Sequence, residues 1–521
     1  MRFIVLILLL ISELWAQSQP ALKCGFADQQ LSLMRAASPQ TRDLDFLEES
    51  VLSPRGIFRI HFTRDPESTH AVTGAESSGT PMFVLEAAIA ADSAYSILIN
   101  ELGFLPPLAD GGIDGDELDI YIKNWNGTYY GMTYFGNSAP SITYLVVDNN
   151  YTESNYATSG LEALRVTIAH EFFHMVQLRY AYPFEPVSSN AYWYEISSTW
   201  MEEKCYPEIN DYHAYVTDIF KRSSFPNLND DSFGFAFSYG HGLFGQILDI
   251  EYGTQDNKHI MLDIWENLNQ KEATDNLEQV LSSSTWGSSL ADALGKYALY
   301  NIFTGSRAIT NMYYPDAAEL DEINLREYDL PVLFPDSIEF MMAKFEISFR
   351  KLNISTFTDF YVHGDVLNSN QRVYLTYHSF DHGSYLKSAV GAFWIYCANV
   401  SSLDYLIFPM VNGDRESSHL YTLSFEGSTL KLKDNIQTLW PNPSMLSEHR
   451  PQLNLMLAEP GDLLINIYDL GGRLVSHESR FSTEGIKVVD LVLPDASPAG
   501  IYFVQIITLN SILSRKFTVL K

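Results

Sequence analysis

Cysteine and basic residues are both scarce in this chain of 521 residues. Its three cysteines (Cys24, Cys205 and Cys397) allow at most one disulfide, so packed cores rather than a disulfide scaffold must stabilise the protein. The 33 Lys and Arg residues face 64 Asp and Glu residues, for a formal net charge of −31. Such acidity argues against nucleic acid and anionic membranes as partners and favours solubility outside the cell.

Long apolar runs are also missing after the N-terminus. No later stretch reaches the roughly 18 consecutive apolar residues needed to cross a bilayer. Residues 1–16, MRFIVLILLLISELWA, combine one Arg, a short apolar run and a final Ala16, which is typical of a cleaved secretory signal. We therefore expect a secreted or cell-surface protein with no transmembrane span in the mature chain.

The order of helical and strand-like segments predicts several domains, since the chain is too long for one ordinary core. Three strand-like runs (IFRIHFT, ELDIYI and SITYLVVD) and an apolar helix that Gly103 ends precede a mostly helical region from about 160 to 303. Short strand-like runs follow from about residue 331 to the C-terminus. The predicted fold class is α+β. We assign residues 17–55 to an N-terminal segment and candidate pro-segment, 56–330 to a catalytic domain, 331–432 to an accessory β-sandwich and 436–521 to a second, smaller β-sandwich.

The stretch VTIAHEFFHMVQ, residues 166–177, places His170 and His174 four positions apart. On an α-helix these positions lie about 40° apart on one face, so both imidazoles can bind one ion. A catalytic zinc needs a third protein ligand and an open position for water. Glu195, in WYEISSTWMEE, follows His174 by 21 positions and is the candidate third ligand.

Glu171 is the candidate general base. The residue after a ligand points away from the ion and reaches only the water bound to it, where a carboxylate can take a proton. Further along the chain, FSYGHGLFGQILDIEYG supplies Tyr239 and His241. Either side chain can donate a hydrogen bond to a developing oxyanion.

Other interpretations of these residues are less well supported. Two histidines packed in an aromatic-rich core need no metal. A di-iron site requires a second Glu-x-x-His on a facing helix, and the other copy, Glu416 to His419, lies in a strand-rich region. No Gly-x-Ser-x-Gly elbow supports a serine nucleophile.

An acidic loop, LADGGIDGDELD, offers oxygen ligands for a Ca²⁺ ion. Its spacing does not match an EF-hand loop, so a solvated turn before a strand is the preferred interpretation. The carboxylates concerned are Asp110, Asp114, Asp116 and Asp119.

Together, AHEFFH, WYEISSTWMEE and YGHGLFGQIL resemble the zinc-binding helix, third-ligand helix and tyrosine segment of gluzincin metallopeptidases, the plan shared by the aminopeptidase N and thermolysin groups. The run from FRIHFT through VVDNNY to EEKCYPEINDYHAY is similar to a family of secreted bacterial metallopeptidases known mainly from sequence. The resemblance covers about residues 56–330. It implies one Zn²⁺ on His170, His174 and Glu195, with Glu171 as base and Tyr239 as oxyanion donor.

Two departures limit what this resemblance implies. No Gly-Ala-Met-Glu-Asn-like strand, which grips a free amino terminus in aminopeptidases, precedes the helix, so we expect an endopeptidase. Thr199 stands where thermolysin has an aspartate four residues after its third ligand, so the groups that orient the ligands do not carry over. We expect the strand SITYLVVD to pair with an extended substrate backbone.

The C-terminal residues 436–521 resemble the type A sorting domain of the type IX secretion system. WPNPS, INIYDLGGRLV, SPAGIYFVQI and KFTVLK occur in that order. The resemblance implies export across the inner membrane by the signal and across the outer membrane by the type IX machinery as a partner. A plain β-sandwich appendage is the simpler alternative.

The sequence therefore predicts a secreted, zinc-dependent peptidase that hydrolyses peptide bonds through a metal-activated water. Two alternatives stay open: a catalytically inactive surface or adhesion protein on the same fold, and a metal hydrolase of a non-peptide substrate. Glu171 beside three ligands favours an enzyme, since a scaffold has no physical need for a base there.

Overall fold

In the computed structural model of the chain, the described residues run from 21 to 520 with internal gaps. The predicted signal and much of the segment 17–55 lie outside them. The gaps are residues 27–46, 75–78, 110–114, 136–140, 182–189, 231–235, 269–270, 329–335, 354–359, 365–370, 380–382, 390–392, 398–404, 428–433, 441, 443, 446–449, 458–460, 483–484, 495–496 and 510.

A six-stranded mixed sheet forms one layer of the first half of the chain. Its strands are β1 (Leu22–Cys24), β2 (Glu49–Leu52), β3 (Phe58–Phe62), β4 (Leu118–Ile122), β5 (Tyr129–Phe135) and β6 (Thr143–Val147). They lie in the order β1-β5-β6-β4-β3-β2. β3, β4 and β6 run parallel, β5 runs antiparallel to β6, and β1 pairs in parallel with the outer edge of β5. The three predicted strands are confirmed as β3, β4 and β6, whereas β5 was not predicted.

The strand β6 has no free edge. It pairs with β4 on one side and with β5 on the other. The prediction that SITYLVVD pairs with a substrate backbone is therefore wrong, because both rows of its backbone groups are already hydrogen-bonded within the sheet.

Two helices cover the sheet: α1 (Met82–Tyr95), which continues as a π-helical turn (Ser96–Glu101), and α2 (Gly160–Gln177). Alanines dominate the buried face of α1, and these small side chains let it pack against α2 and β3. Gly103, with φ of +82°, follows the helix end as predicted. The segment Met82–Glu101 has a mean hydropathy of 1.6 and is long and apolar enough to cross a membrane, a property that core helices share, and 44% of its most apolar window is buried.

The predicted helical region is confirmed between residues 160 and 303. Its further helices are α3 (Ala191–Cys205), α4 (His213–Phe220), α5 (Ala236–Gly240), α6 (Gly242–Glu251), α7 (Ile260–Leu268), α8 (Ala273–Leu281) and α9 (Leu290–Ile302), with a short hairpin of β7 (Thr254–Gln255) and β8 (Lys258–His259). α3 packs between α2 and α6. α6 approaches α3 closely at Gly245, where a Cβ would lie 2.7 Å from Trp200 Cβ. Both α2 and α3 are buried on nearly every face, as expected for central helices.

The next part of the chain forms two sheets. The strands are β9 (Arg326–Tyr328), β10 (Asp336–Met342), β11 (Ile347–Asn353), β12 (Phe360–Gly364), β13 (Gln371–Ser379), β14 (Gly383–Ala389), β15 (Phe393–Cys397), β16 (Tyr405–Asn412) and β17 (His419–Gly427). One sheet has five strands (β14-β13-β16-β11-β9) and the other has four (β10-β17-β12-β15). Four side chains of this part, Ile347, Phe349, Ile407 and Val411, belong to the same hydrophobic core as the helical region. α9 packs against β11, β13 and β16.

The C-terminal strands form a separate hydrophobic core, which includes Leu453, Leu463, Val504 and Phe517. These strands are β18 (Asn435–Trp440), β19 (Ser444–Met445), β20 (Gln452–Leu457), β21 (Gly461–Asp469), β22 (Leu474–Ser482), β23 (Gly485–Asp490), β24 (Gly500–Ile507) and β25 (Ile512–Leu520). They make a three-stranded sheet (β18-β20-β23) and a five-stranded sheet (β19-β25-β24-β21-β22). The chain is thus a mixture of helices and sheets, consistent with the predicted α+β class.

Candidate metal centre

Three predicted ligands converge on one buried point between α2 and α3. His170 and His174 lie one turn apart on α2, and their Nε2 atoms are 3.1 Å apart. Glu195, on α3, places Oε2 at 3.1 Å from His170 Nε2 and 3.4 Å from His174 Nε2. All three side chains are at most 1% exposed.

These separations match the dimensions of a zinc site. A tetrahedral ion with metal–ligand distances of about 2.0–2.1 Å has ligand-to-ligand edges of about 3.3 Å. The three edges of 3.1, 3.1 and 3.4 Å are close to that value. Two histidines and one glutamate are also a donor set that catalytic zinc uses.

Each ligand imidazole is oriented from its other nitrogen. His170 Nδ1 lies 2.7 Å from Glu202 Oε1, and His174 Nδ1 lies 2.8 Å from Gln177 Oε1. The backbone oxygen of Tyr194 fixes the orientation of the Gln177 amide, because this oxygen can only accept and so requires Nε2 beside it. Two serine hydroxyls also lie within hydrogen-bond distance of Nε2. In the neutral, metal-binding form of each imidazole the proton therefore lies on Nδ1, and the Nε2 lone pair faces the shared point.

The electrostatic surroundings of the three converging side chains favour a bound cation. Burial lowers the pKa of His170, but hydrogen bonds and charges from Glu195 and Glu202 outweigh it and raise the pKa to about 9. Burial likewise raises the pKa of Glu195, yet the neighbouring His174 and His170 lower it to about 2. Glu195 Oε1 is buried without a hydrogen-bond partner. The surroundings thus favour positive charge among these three side chains, which a proton on His170 carries in the metal-free chain and a bound metal ion would carry in its place.

Glu171 lies on the sheet side of the same helix, against β5. Thr133 Oγ1 donates to Glu171 Oε2 at 2.7 Å. The other carboxylate oxygen, Oε1, is buried and has no hydrogen-bond partner. Gly131 makes room for this side chain, since a Cβ there would lie 2.8 Å from Glu171 Cγ. One oxygen of the carboxylate is therefore held in place and the other is left to accept a proton.

Tyr239 and His241 lie in different surroundings. The Tyr239 ring centroid is 6.0 Å from that of His170, and burial together with the charges of Glu195 and Glu171 raises the pKa of its hydroxyl. Tyr239 thus stays protonated and able to donate. His241 Nδ1 instead lies 2.9 Å from the Tyr297 hydroxyl. The structure brings Tyr239 to the ligand cluster, whereas His241 contacts Tyr297 on α9 and the ring of Phe225.

A fourth potential ligand, Cys24, was not predicted. Its Sγ and the ligand atoms of His170, His174 and Glu195 all lie within 4.8 Å of one another. Glu202 and Gln177 were also missed, although both had a local signal. Glu202 follows Glu195 by seven positions on one helix, and Gln177 follows His174 by three. No local pattern connects Cys24 with this site.

The acidic loop considered for calcium does not form a metal cluster among the residues that the structure describes. Asp119 is buried and its Oδ1 lies 2.9 Å from His61 Nε2. Asp116 is exposed, and Asp110 and Asp114 lie outside the described residues.

Comparisons with known proteins gave one partial family match and several distant structural likenesses. No curated protein matches the chain. Solved structures that share some likeness include PorZ of Porphyromonas gingivalis, a surface component of the type-IX secretion system (12% identity, 28% of this chain and 22% of that chain, TM-score 0.14). They also include a β-glucuronidase from Ruminococcus gnavus (10% identity, 34% and 36%, TM-score 0.14) and the BSP domain of a biofilm associated protein (11% identity, 36% and 51%, TM-score 0.14).

Likenesses this distant support no conclusion about fold or function, and this chain spans no more than about half of those proteins. The matching family model covers less than half of the chain. It is that of a family of unknown function, DUF6055, which matches residues 67–247, a range that contains His170, His174 and Glu195.

Proposed function

We propose that this chain is a zinc-dependent peptidase, acting as an endopeptidase, with the ion held by His170, His174 and Glu195. The observation that carries the proposal is the triangle of ligand atoms, with edges of 3.1, 3.1 and 3.4 Å, next to a buried carboxylate that has one free oxygen. A scaffold that only binds metal has no physical need for that carboxylate.

In this proposal a bound zinc ion lowers the pKa of water and polarises the substrate carbonyl. Glu171 Oε1 takes the proton from the attacking water, while Thr133 holds Oε2 and so fixes the direction of the acceptor lone pairs. Glu171 then gives the proton to the leaving nitrogen. Tyr239, protonated and 6.0 Å from the His170 ring, donates to the oxyanion.

The edge of β5 favours a peptide over other carbonyl substrates. This edge leads to the metal centre, because Gly131 and Thr133 both contact Glu171. In this structure β1 occupies that edge, pairing Leu22 with Tyr129 and Cys24 with Gly131, so a substrate strand would bind there after β1 has left. A substrate strand bound there gains main-chain hydrogen bonds that a non-peptide substrate lacks.

The test combines metal content with cleavage of casein or a peptide library. Glu171→Gln is compared with the unmodified chain and with Glu162→Gln, an exposed glutamate on the same helix, and all three are repeated in a Cys24→Ser background. We expect close to one zinc per chain throughout and a loss of about 10²–10⁴ in kcat for Glu171→Gln alone. Absence of zinc, or zinc with no cleavage in either background, would overturn the proposal.

We also propose that the chain is secreted through its signal, residues 1–16, and is sorted to the cell surface by residues 436–521 through the type IX machinery. The separate C-terminal core supports a sorting role for residues 436–521, since a segment with its own core can be recognised and removed as a unit. Deleting residues 436–521 should leave the protein in the periplasm, as fractionation of the producing cells would show.

A further inference from the structure

The N-terminal strand β1 occupies the edge of β5 that leads to the metal centre. Leu22 pairs with Tyr129 and Cys24 with Gly131, and the backbone N–H of Gly25 donates to the Gly131 carbonyl at 3.0 Å. Gly131 is also the residue that contacts Glu171. A chain bound along this edge therefore lies next to the Glu171 carboxylate and the ligand cluster.

This pairing brings the Cys24 thiol to the ligands. Its Sγ and the ligand atoms of His170, His174 and Glu195 lie within 4.8 Å of one another, and Cys24 is 5% exposed. The backbone N–H of Phe26 donates to Cys24 Sγ at 3.2 Å. Burial and the charges of Glu171 and Glu195 raise the pKa of this thiol in the metal-free chain, and the Phe26 N–H only partly opposes them. A bound metal ion would deprotonate the thiol, because the thiolate is the form that binds metal.

Side chains on either side of Cys24 contact a proposed ligand or a group that orients one. Lys23 is buried and forms ion pairs with Asp211 and with Glu202, whose other oxygen lies 2.7 Å from His170 Nδ1. The Phe26 ring stacks on the His174 imidazole with centroids 4.2 Å apart and planes inclined by 3°. The segment thus contacts both ligand histidines or their partners.

We propose that residues 21–26 form an autoinhibitory strand, in which the Cys24 thiolate fills the fourth position of the metal centre. The inference rests on the proposed function. A centre with four protein ligands has no position for a catalytic water. On binding an ion, the Cys24 thiol would release its proton to solvent, and departure of the segment would leave its place open to water. The same departure frees the β5 edge for substrate.

The spectrum of the cobalt-loaded full chain tests the ligand assignment independently of activity. Co²⁺ bound to a thiolate shows a sulfur-to-metal charge-transfer band in the near ultraviolet. We expect the band in the unmodified chain and in Cys205→Ser, a matched loss of thiol elsewhere, and its loss in Cys24→Ser with one Co²⁺ still bound. A cobalt-loaded chain without the band would overturn the inference and leave the three-ligand centre intact, whereas a chain that binds neither Co²⁺ nor Zn²⁺ would overturn the proposed function.

Peptidase activity of the same zinc-loaded proteins tests the inhibition. Each 1.4 kcal/mol that the sulfur–metal bond adds to docking lowers the open fraction of the protein tenfold. Cys24→Ser removes this bond and keeps the other contacts of the segment, so it should be about tenfold or more as active as the unmodified chain. Equal activity would overturn autoinhibition. Lys23→Gln provides a second variant that keeps the thiol: weaker docking should reduce the cobalt band and raise activity together, and no change in either would count against the inference.

Discussion

Glu202 Oε1 lies 2.7 Å from His170 Nδ1, seven residues beyond Glu195 on the same helix. One helix therefore carries both the proposed third ligand and the carboxylate that orients His170, another proposed ligand. Such carboxylates fix the imidazole and raise its basicity toward the metal.

Removal of this carboxylate should weaken zinc binding. We expect a loss of about 10–100-fold in zinc affinity for Glu202→Ala, measured by competition with a chromophoric chelator. Glu202→Gln should lose less, because its amide oxygen still accepts from Nδ1–H. Glu203→Gln is the matched control one residue along, and an equal loss there would indicate a general defect of the helix.

Substitution of Tyr239 should lower kcat, whereas substitution of His241 should lower stability. Loss of an oxyanion donor costs about 10²–10³ in kcat, and we expect this for Tyr239→Phe with zinc content unchanged. His241→Gln breaks the 2.9 Å contact with Tyr297 and should lower the melting temperature while leaving kcat per folded molecule nearly unchanged. The reverse pattern would assign the donor role to His241.

Gly131 should be intolerant of even one added carbon. In Gly131→Ala the new Cβ would lie 2.7 Å from Thr167 Cγ2 and 2.8 Å from Glu171 Cγ, so the base must move. We expect kcat to fall with zinc still bound, measured in the Cys24→Ser background. Gly500→Ala, with no atom within 4 Å of its Cβ, is the control.

Glu203 should make the protein less stable as pH rises. Burial, with the charges of Asp316 and Glu202, raises the pKa of Glu203 to about 9. Above its ordinary pKa, near 4.5, the unfolded chain loses this proton while the folded chain keeps it, so stability falls from that pH up to about 9. Glu203→Gln removes this dependence.

Thermal melting checks the sign of this effect. The variant should melt above the unmodified chain at pH 8, and the difference should shrink toward pH 5. A difference that grows on acidification would contradict the raised pKa.

Short-range spacing was enough to predict that three side chains on α2 and α3 converge. His170 and His174 follow from one helical turn, whereas Glu195 follows from the resemblance and its distance along the chain. Helix length and periodicity likewise placed α1 and its end at Gly103, because these depend on neighbouring residues.

The remaining parts of the site depend on contacts between distant residues. Lys23 pairs with Glu202 across 179 positions, and no periodicity reports such a contact. The strand β5 was missed because its sequence, YYGMTYF, is almost continuously buried and carries a glycine, so it shows no alternation of apolar and polar residues. That glycine is required by the approach of Glu171, a residue from another element.

The shared core between the helical region and the β-strands that follow it has a consequence for unfolding. Ile347, Phe349, Ile407 and Val411 lose their packing partners when α9 melts, so these parts should unfold cooperatively. The C-terminal strands, with a core of their own, should melt as a second unit. Calorimetry should therefore resolve two transitions, and only the one that includes the helical region should shift to higher temperature when zinc is added.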